Sequence, residues 1–591
     1  MKKLFFYFLV LKLTIGNLNS QSIDVKWSDQ FLLDNKQDGF FDDFVGSNST
    51  YIYGKFSNLA LLPKKRNQKV KLVAFDKASM KKAGETDLRG FGGSLDKEDY
   101  KYYKTVTLDN LIYVFWTKEQ KDVVELYVQS FDTKLKKVNN IKKIYELNDS
   151  KSKGTDKLII LYNKDVNNKI VIAKEVGLTQ DNENLRIEYK LLNPDFSFVT
   201  AKQVTLPIKV TKKRRGLFSS YSNSIDNNLC KYEFGNDGNL YIEDMVKASD
   251  EEKKLLKKRE ASVYPHIMQI QMESGNLQDY SLKFTGKNTF NYSSLITKNG
   301  IKLYGFFSDL DKDEKGKDTH GTFLVTLDNT SFKAKEPKFS YFDKTFLDQL
   351  YAADKENQKK GKGIFKSSKA KASDEQSIDD NYIIEKVIED GNDILLFCSI
   401  MKNWSRTVCS GNANGGGTSC RTYYYCTKSN VTAFRLNGAG DIVWAKNLDR
   451  SMTYSGWNIY DLSVMKNGNS YYVTYGSQFE MNAKKKNMRS SKSRAQLNDR
   501  LEYAVFSGQT GEYKKAEYQV NRVNAKKADK KYVGANQISV FDNKMYTSYV
   551  RTKIKPTTFI SCLCPPVFYY LIFSGNSRKG TGYFGTIAPL K

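Results

Sequence analysis

At 591 residues the chain has room for several small domains or one large repeat domain. It carries 94 basic against 66 acidic side chains, a formal charge of +28, which favours anionic partners over cationic ones, although a generally lysine-rich composition accounts for the same bias. Two histidines in this length leave little material for Ser-His-Asp catalysis, and seven cysteines, an odd count, leave at least one thiol outside any intramolecular disulfide.

In chain order, the first element is a targeting segment. Lys2 and Lys3 precede an apolar run over 4–15, broken by Lys12, and 16–20 are small and polar. This is the pattern of a cleaved secretory signal over 1–20, with cleavage after Ser20 and Gly16 as the second choice. The run is shorter than the roughly 20 apolar residues that a spanning helix needs. No later stretch reaches that length; 567–573, the most apolar, has strand length. The expectation is an exported protein, periplasmic or extracellular, with no transmembrane segment after the signal.

Residues 21–591 read as all-β. Helical periodicity is nearly absent, and runs of five to nine residues rich in Tyr, Phe, Val and Ile alternate with Asn, Asp and Gly turns. One class of turn falls at 108–110, 235–239, 299–300, 390–393, 467–469 and 542–543. A second class follows each, at 132–134, 193–196, 273–276, 328–331, 438–441 and 508–512. Their Asn/Asp/Gly content suits tight hairpins that need positive φ. Alternating the two classes divides the chain into eight four-strand units, whose first strands begin near Phe41, Tyr102, Lys157, Asn228, Phe290, Asn381, Asn458 and Asn536. Four-stranded units at this spacing are the signature of a β-propeller, since a closed ring covers every sheet without leaving a long open edge. In architecture the chain resembles the β-propeller superfamily. Residues 440–445 (Gly-Asp-Ile-Val-Trp-Ala) resemble the outer hairpin of quinoprotein-type propellers, once only, and neither the WD nor the kelch motif series is present. A single propeller of eight blades is expected over 21–591, with seven as the alternative. The segment 27–33 is expected to add a strand to the last blade and close the ring.

Within each unit the first-to-second and third-to-fourth connections are short, while the remaining connections hold the long insertions and lie together on the other face. Six basic clusters fall there, among them Lys212-Lys213-Arg214-Arg215 and Lys484-Lys485-Lys486, with others around Lys64, Lys253, Lys359 and Lys526. Loops on a rigid scaffold carry function, and their summed charge focuses a field. The insertion at 343–379, rich in Lys, Gly, Ser and Ala, reads as a disordered basic segment.

The most distinctive insertion is 403–430, read as a Cys/Gly/Tyr-rich loop. It holds Trp404, three glycines at 415–417 and the run Tyr423-Tyr424-Tyr425, whose rings stack on sugars or bases or else pack beneath the loop. Cys409 with Cys420 or Cys426 would pin it as a disulfide; Cys562 and Cys564 complete the candidate set, and an oxidising compartment favours disulfides over a metal site. Asp309, Asp311 and Asp313 resemble the start of a calcium loop, but Glu314 and His320 stand where glycine and glutamate belong. No other cofactor is implied. Asp42, Asp43 and Asp461 lie on or near first strands and could serve glycoside cleavage.

The reading that results is a non-enzymatic binding or scaffold protein. Its basic face would take an anionic polysaccharide, lipid headgroups or an envelope protein, with nucleic acid a lesser candidate. A carbohydrate-active enzyme and a structural envelope component are the alternatives.

Overall fold

The computed structural model describes residues 23–590 except 34–39, 58–69, 89–99, 109, 120–122, 149–157, 164–165, 167–168, 177–183, 210–229, 248–262, 298–299, 313–317, 360–377, 379–381, 411–418, 456–461, 478–499, 520–532, 534–537 and 555–577. Its strands form eight separate antiparallel sheets. Blade 1 is β3 (Phe40–Ser47), β4 (Tyr51–Ser57), β5 (Val70–Asp76) and β6 (Lys82–Asp87); blade 2 is β7 (Tyr100–Thr107), β8 (Leu111–Glu119), β9 (Val123–Asp132) and β10 (Lys142–Asn148). Blades 3 to 5 repeat the order with β11 (Leu158–Tyr162) to β14 (Phe198–Lys209), β15 (Lys231–Phe234) to β18 (Leu277–Ser281), and β19 (Lys287–Thr297) to β22 (Lys338–Tyr341). Blade 6 comprises β23 (Tyr382–Asp390), β24 (Asp393–Ser410), β25 (Ser419–Leu436) and β26 (Ile442–Ser455), and blade 7 runs from β27 (Ser463–Asn467) and β28 (Ser470–Ser477) through β29 (Arg500–Ser507) to β30 (Tyr513–Gln519).

The eighth blade joins the two ends of the chain. Its inner strands are β31 (Ile538–Phe541), β32 (Lys544–Ile554) and β33 (Arg578–Pro589), and β1 (Ile23–Trp27) pairs on the outside of β33 in the register Ile23↔Pro589 to Trp27↔Gly585. The short β2 (Phe31–Leu33) also pairs with β33, from Phe31↔Gly582 to Leu33↔Gly580. The expected closing strand is present, and it begins four residues before Trp27. Gly582 and Gly585 are needed here: a Cβ at either would stand 2.3 Å from the Phe31 ring or 2.9 Å from the Trp27 ring.

The ring follows from period-two patterning in which both faces are apolar. In β8, Ile112, Val114 and Trp116 pack toward blade 1, while Tyr113 and Phe115 pack toward blade 3. The buried apolar residues fall into eight clusters, one at each junction between neighbouring blades, including the junction of blade 8 with blade 1. Each fully buried large side chain contributes about 1.5–3 kcal/mol, so the ring is held by packing around its whole circumference. This strand order defines an eight-bladed β-propeller, not seven-bladed.

Buried tyrosines add direction to the packing. The hydroxyls of Tyr53, Tyr113 and Tyr189 donate to the carbonyls of Thr133 (3.1 Å), Pro194 (2.6 Å) and Met272 (2.8 Å), each in the outer turn of the following blade. Those turns take the positive φ their sequences call for, at Leu135, Phe196 and Gly275. Asp542 and Asn543 both have φ near +50°, the geometry of a two-residue I′ hairpin.

Two expectations change. Within 343–379, residues Lys344–Lys359 form a helix, α1. Asp343 Oδ1 caps it by accepting the Phe346 amide at 2.7 Å, and Phe346, Leu347 and Leu350 are buried against blade 6. Apolar positions at helical spacing outweigh the lysine and serine content; 360–377 lie outside the described residues. Likewise 403–410 and 419–430 lie in an antiparallel ladder and not in a loop, because β24 and β25 continue in register from Ile400↔Ser429 to Ser410↔Ser419; 411–418 lie outside the described residues.

Candidate functional site

The two faces of the ring differ in what connects the strands. First-to-second and third-to-fourth turns are short, and acids and bases balance one for one in them. The other connections hold the basic clusters. Residues 210–229 join blades 3 and 4 and carry Lys212, Lys213, Arg214 and Arg215 against Asp226. Residues 478–499 join β28 to β29 with Lys484, Lys485, Lys486, Arg489, Lys492 and Arg494 against Glu480 and Asp499. The strand ends that anchor these segments lie on one face; the clusters themselves are outside the described residues.

From the same face projects the long hairpin of blade 6. Cys409 stands directly opposite Cys420 in its ladder, whereas Cys426 stands opposite Asn403. Trp404 is opposite Tyr425, Ser405 opposite Tyr424 and Arg406 opposite Tyr423. Cys562 and Cys564 are outside the described residues. Cys230 and Cys398 are buried and in no disulfide, and burial, reinforced by Glu385, pushes the Cys398 thiol well above its usual range.

The base of this hairpin holds a group of charges that reading the sequence alone misses. Three strand pairings slip close together: Glu385 bulges from β23, and two residues further along the sheet Asn430 bulges from β25 opposite Asp449 and Arg450 of β26. The Glu385 side chain is wholly enclosed, and those of Lys428 and Arg450 are 1% exposed. Glu385 Oε2 accepts from Lys428 Nζ at 3.1 Å and from the Leu462 amide of blade 7 at 3.1 Å, while Arg450 Nη2 lies 3.9 Å from Oε1. A lone glutamate in the apolar run Tyr382-Ile383-Ile384-Glu385-Lys386-Val387-Ile388 is the signal that could have marked it; its partners, 43 and 65 residues on, could not be paired without the register.

The first-strand carboxylates have other surroundings. Asp42 pairs with Lys55 at 2.8 Å and is half exposed. Burial lifts the Asp43 carboxyl above the usual range, although the Phe44 amide (2.7 Å) and Lys55 work the other way. Asp461 is outside the described residues. A further pair appears on blade 4, where Glu243 accepts from Lys231 at 2.8 Å and burial raises the neighbouring Glu233. Of the calcium candidates, Asp309 is already engaged. Burial works against its charge, yet Tyr341, Lys287 (2.9 Å) and the Asp311 amide (3.1 Å) hold its carboxyl down to about 2. A cation there would displace Lys287. Asp313 is outside the described residues, and among those described no three His, Cys, Asp or Glu side chains form a metal-sized group. No described helix is long and apolar enough to cross a membrane.

No family model matches the chain, and no curated protein does. Solved structures similar to it include a polysaccharide lyase of family PL25, an ulvan lyase bound to -[GlcA(1-4)Rha3S]-, at 9% identity and a TM-score of 0.31 over 83% of this chain and 96% of that one. A prolyl endopeptidase matches at 10% identity and a TM-score of 0.31, over 87% of this chain and 52% of that one. A variant of the Synechocystis apocarotenoid oxygenase matches at 9% identity and a TM-score of 0.29, over 86% and 95%. At these scores no activity transfers, and the fold rests on the strand order itself.

Proposed function

We propose that the protein is an exported binding propeller whose loop-bearing face holds an anionic polymer, with acidic polysaccharide or lipid headgroups as the main classes. The observation that carries this reading is the asymmetry between the faces: balanced charge in the tight turns, basic clusters in the connections opposite. Polymer binding that neutralises several lysines releases counterions, so affinity should fall steeply with salt. Expected is binding of the protein lacking its signal segment to acidic polysaccharide or anionic vesicles that weakens by at least about tenfold between 50 and 200 mM salt. Replacing Lys484, Lys485 and Lys486 with Ala should weaken it further. Salt-insensitive binding would overturn the reading.

One observation favours a second reading. Asp43, raised by burial, stands beside Asp42, which is paired with Lys55, and unlike environments for adjacent carboxylates divide acid from base roles. A carbohydrate-active enzyme would show glycan turnover that is lost in Asp43→Asn and indifferent to salt.

Export to an oxidising compartment supplies the oxidant for Cys409 and Cys420, which face each other across the ladder. Two thiols would lose their protons and two electrons to that compartment's disulfide-forming system. Closing this loop contributes about 3 kcal/mol in the chain-entropy account. Peptide mapping of the non-reduced protein is expected to recover Cys409 linked to Cys420; recovery of both as thiols would remove the pairing.

A further inference from the structure

Arg450 is enclosed, yet its Nε and Nη2 make no hydrogen bond. Among the described residues its ion-pair partner is Glu385, and at 3.9 Å that contact is beyond hydrogen-bond reach. Lys428 and the Leu462 amide hold Glu385 Oε2, and Oε1, 3.9 Å from Nη2, is itself enclosed and without a hydrogen bond. Nε and Nη2 form the side-on edge of the guanidinium, two parallel N–H donors spaced for two oxygens of one group. The Asn430 amide, also enclosed, has neither its oxygen nor its nitrogen bonded. Asn430 is the unpaired residue between Ser429↔Ser451 and Val431↔Leu448, so it stands opposite Asp449 and Arg450. Its φ of +47° turns it out of the regular ladder. Unbonded donors enclosed in protein are destabilising, the more so when charged. Two of them on one cation, across the strand bulge from a residue whose amide is also unbonded, form a site built for an acceptor.

We propose that the side-on edge of Arg450, together with Asn430, is a buried site for one small oxyanion, a carboxylate or sulfate group. It lies between blades 6 and 7, where the hairpin leaves the loop-bearing face, so entry is from that face. Tyr475 and Glu502 of blade 7 lie nearby. The proposal does not depend on polymer binding by the lysine clusters.

The test is thermal unfolding of the full exported chain with inorganic sulfate, titrated against chloride at matched ionic strength. A ligand that binds only the folded state raises Tm along a saturation curve. Expected is a saturable rise with sulfate, lost in Arg450→Gln, with the half-saturating concentration raised about tenfold in Arg450→Lys, which keeps the charge but not the fork. If Arg450→Gln does not fold, Asn430→Gly keeps the left-handed backbone and should weaken the response. No saturable rise, as for a site filled by water, would overturn the proposal; so would a rise that persists in Arg450→Gln and Asn430→Gly. A sulfated oligosaccharide that competes with sulfate identifies a polymer substituent as the occupant, and one that does not identifies a free ion; both outcomes keep the site. Alanine at Lys484, Lys485 and Lys486 should leave the sulfate response unchanged, so loss of polymer binding there is separable from loss of the Arg450 site.

Discussion

Replacing Glu385 with Ala is expected to remove about 3–5 kcal/mol of stability, because it leaves buried cations without their acid. The side chain is fully enclosed, and Lys428 and Arg450 are as closed from solvent as the apolar core around them. The Leu462 amide would also lose its acceptor, a further unmet donor at the junction of blades 6 and 7. Shape and charge can be separated. Glu385→Gln keeps the volume and an acceptor for Leu462 while removing the negative charge, and should cost less than Ala. The double change Glu385→Leu with Lys428→Met removes one charge of each sign and should recover part of the loss, since a buried pair replaced by apolar groups is often near neutral. Urea unfolding midpoints for the four proteins decide the matter. A loss below about 1 kcal/mol in Glu385→Ala, the range of exposed ion pairs, would show that the cluster is hydrated and not enclosed.

The blades were legible in the sequence because turn chemistry is local. Asp542-Asn543, Asn467-Gly468 and the 438–441 turn announce hairpins from their own residues, and alternating apolar runs fill the spaces between. First strands fell within a few residues of their expected starts; β27 was the furthest off, beginning at Ser463 and not near Asn458. α1 was missed because lysine and serine content was weighed over the spacing of Phe346, Leu347 and Leu350, which only becomes decisive with blade 6 to pack against. The hairpin of blade 6 was missed for a related reason: Cys, Tyr and Gly in one stretch read as a loop, yet Thr and Tyr suit a two-stranded ribbon equally well. The Glu385 cluster was beyond reach. It depends on three bulges falling within two residues of one another along the sheet, and bulge position is set by how strands meet rather than by any one strand.

Phe584 tests the other property that sequence could only suggest, the closing of the ring. Its side chain is fully buried in β33 and stacks on Phe75 of blade 1, with ring centroids 4.7 Å apart and planes 11° from parallel. Tyr546 stacks on it at 5.8 Å and Phe44 meets it edge-on at 5.9 Å, so one ring bridges the last blade and the first. Its backbone is tied to the amino-terminal segment as well: the Phe584 amide donates to Ser28 Oγ at 2.9 Å and the Ser28 amide donates to the Phe584 carbonyl at 2.7 Å. Phe584→Ala is expected to cost about 3–5 kcal/mol, as deletion of a buried aromatic ring does. Phe506→Ala, at the junction of blades 6 and 7, removes a ring of equal burial and should cost a similar amount. The two should differ in where the protein opens. A cavity at the seam loosens β33 against blade 1 and exposes the strand that β1 completes, so exchange of the Lys26 and Ser28 amides, which are in phase to donate to β33, should accelerate in Phe584→Ala under conditions where Phe506→Ala leaves it slow. Equal exchange in the two variants would mean that β1 is held by its pairing with β33 alone, and that the seam is one junction among eight without a special part in keeping the ring shut.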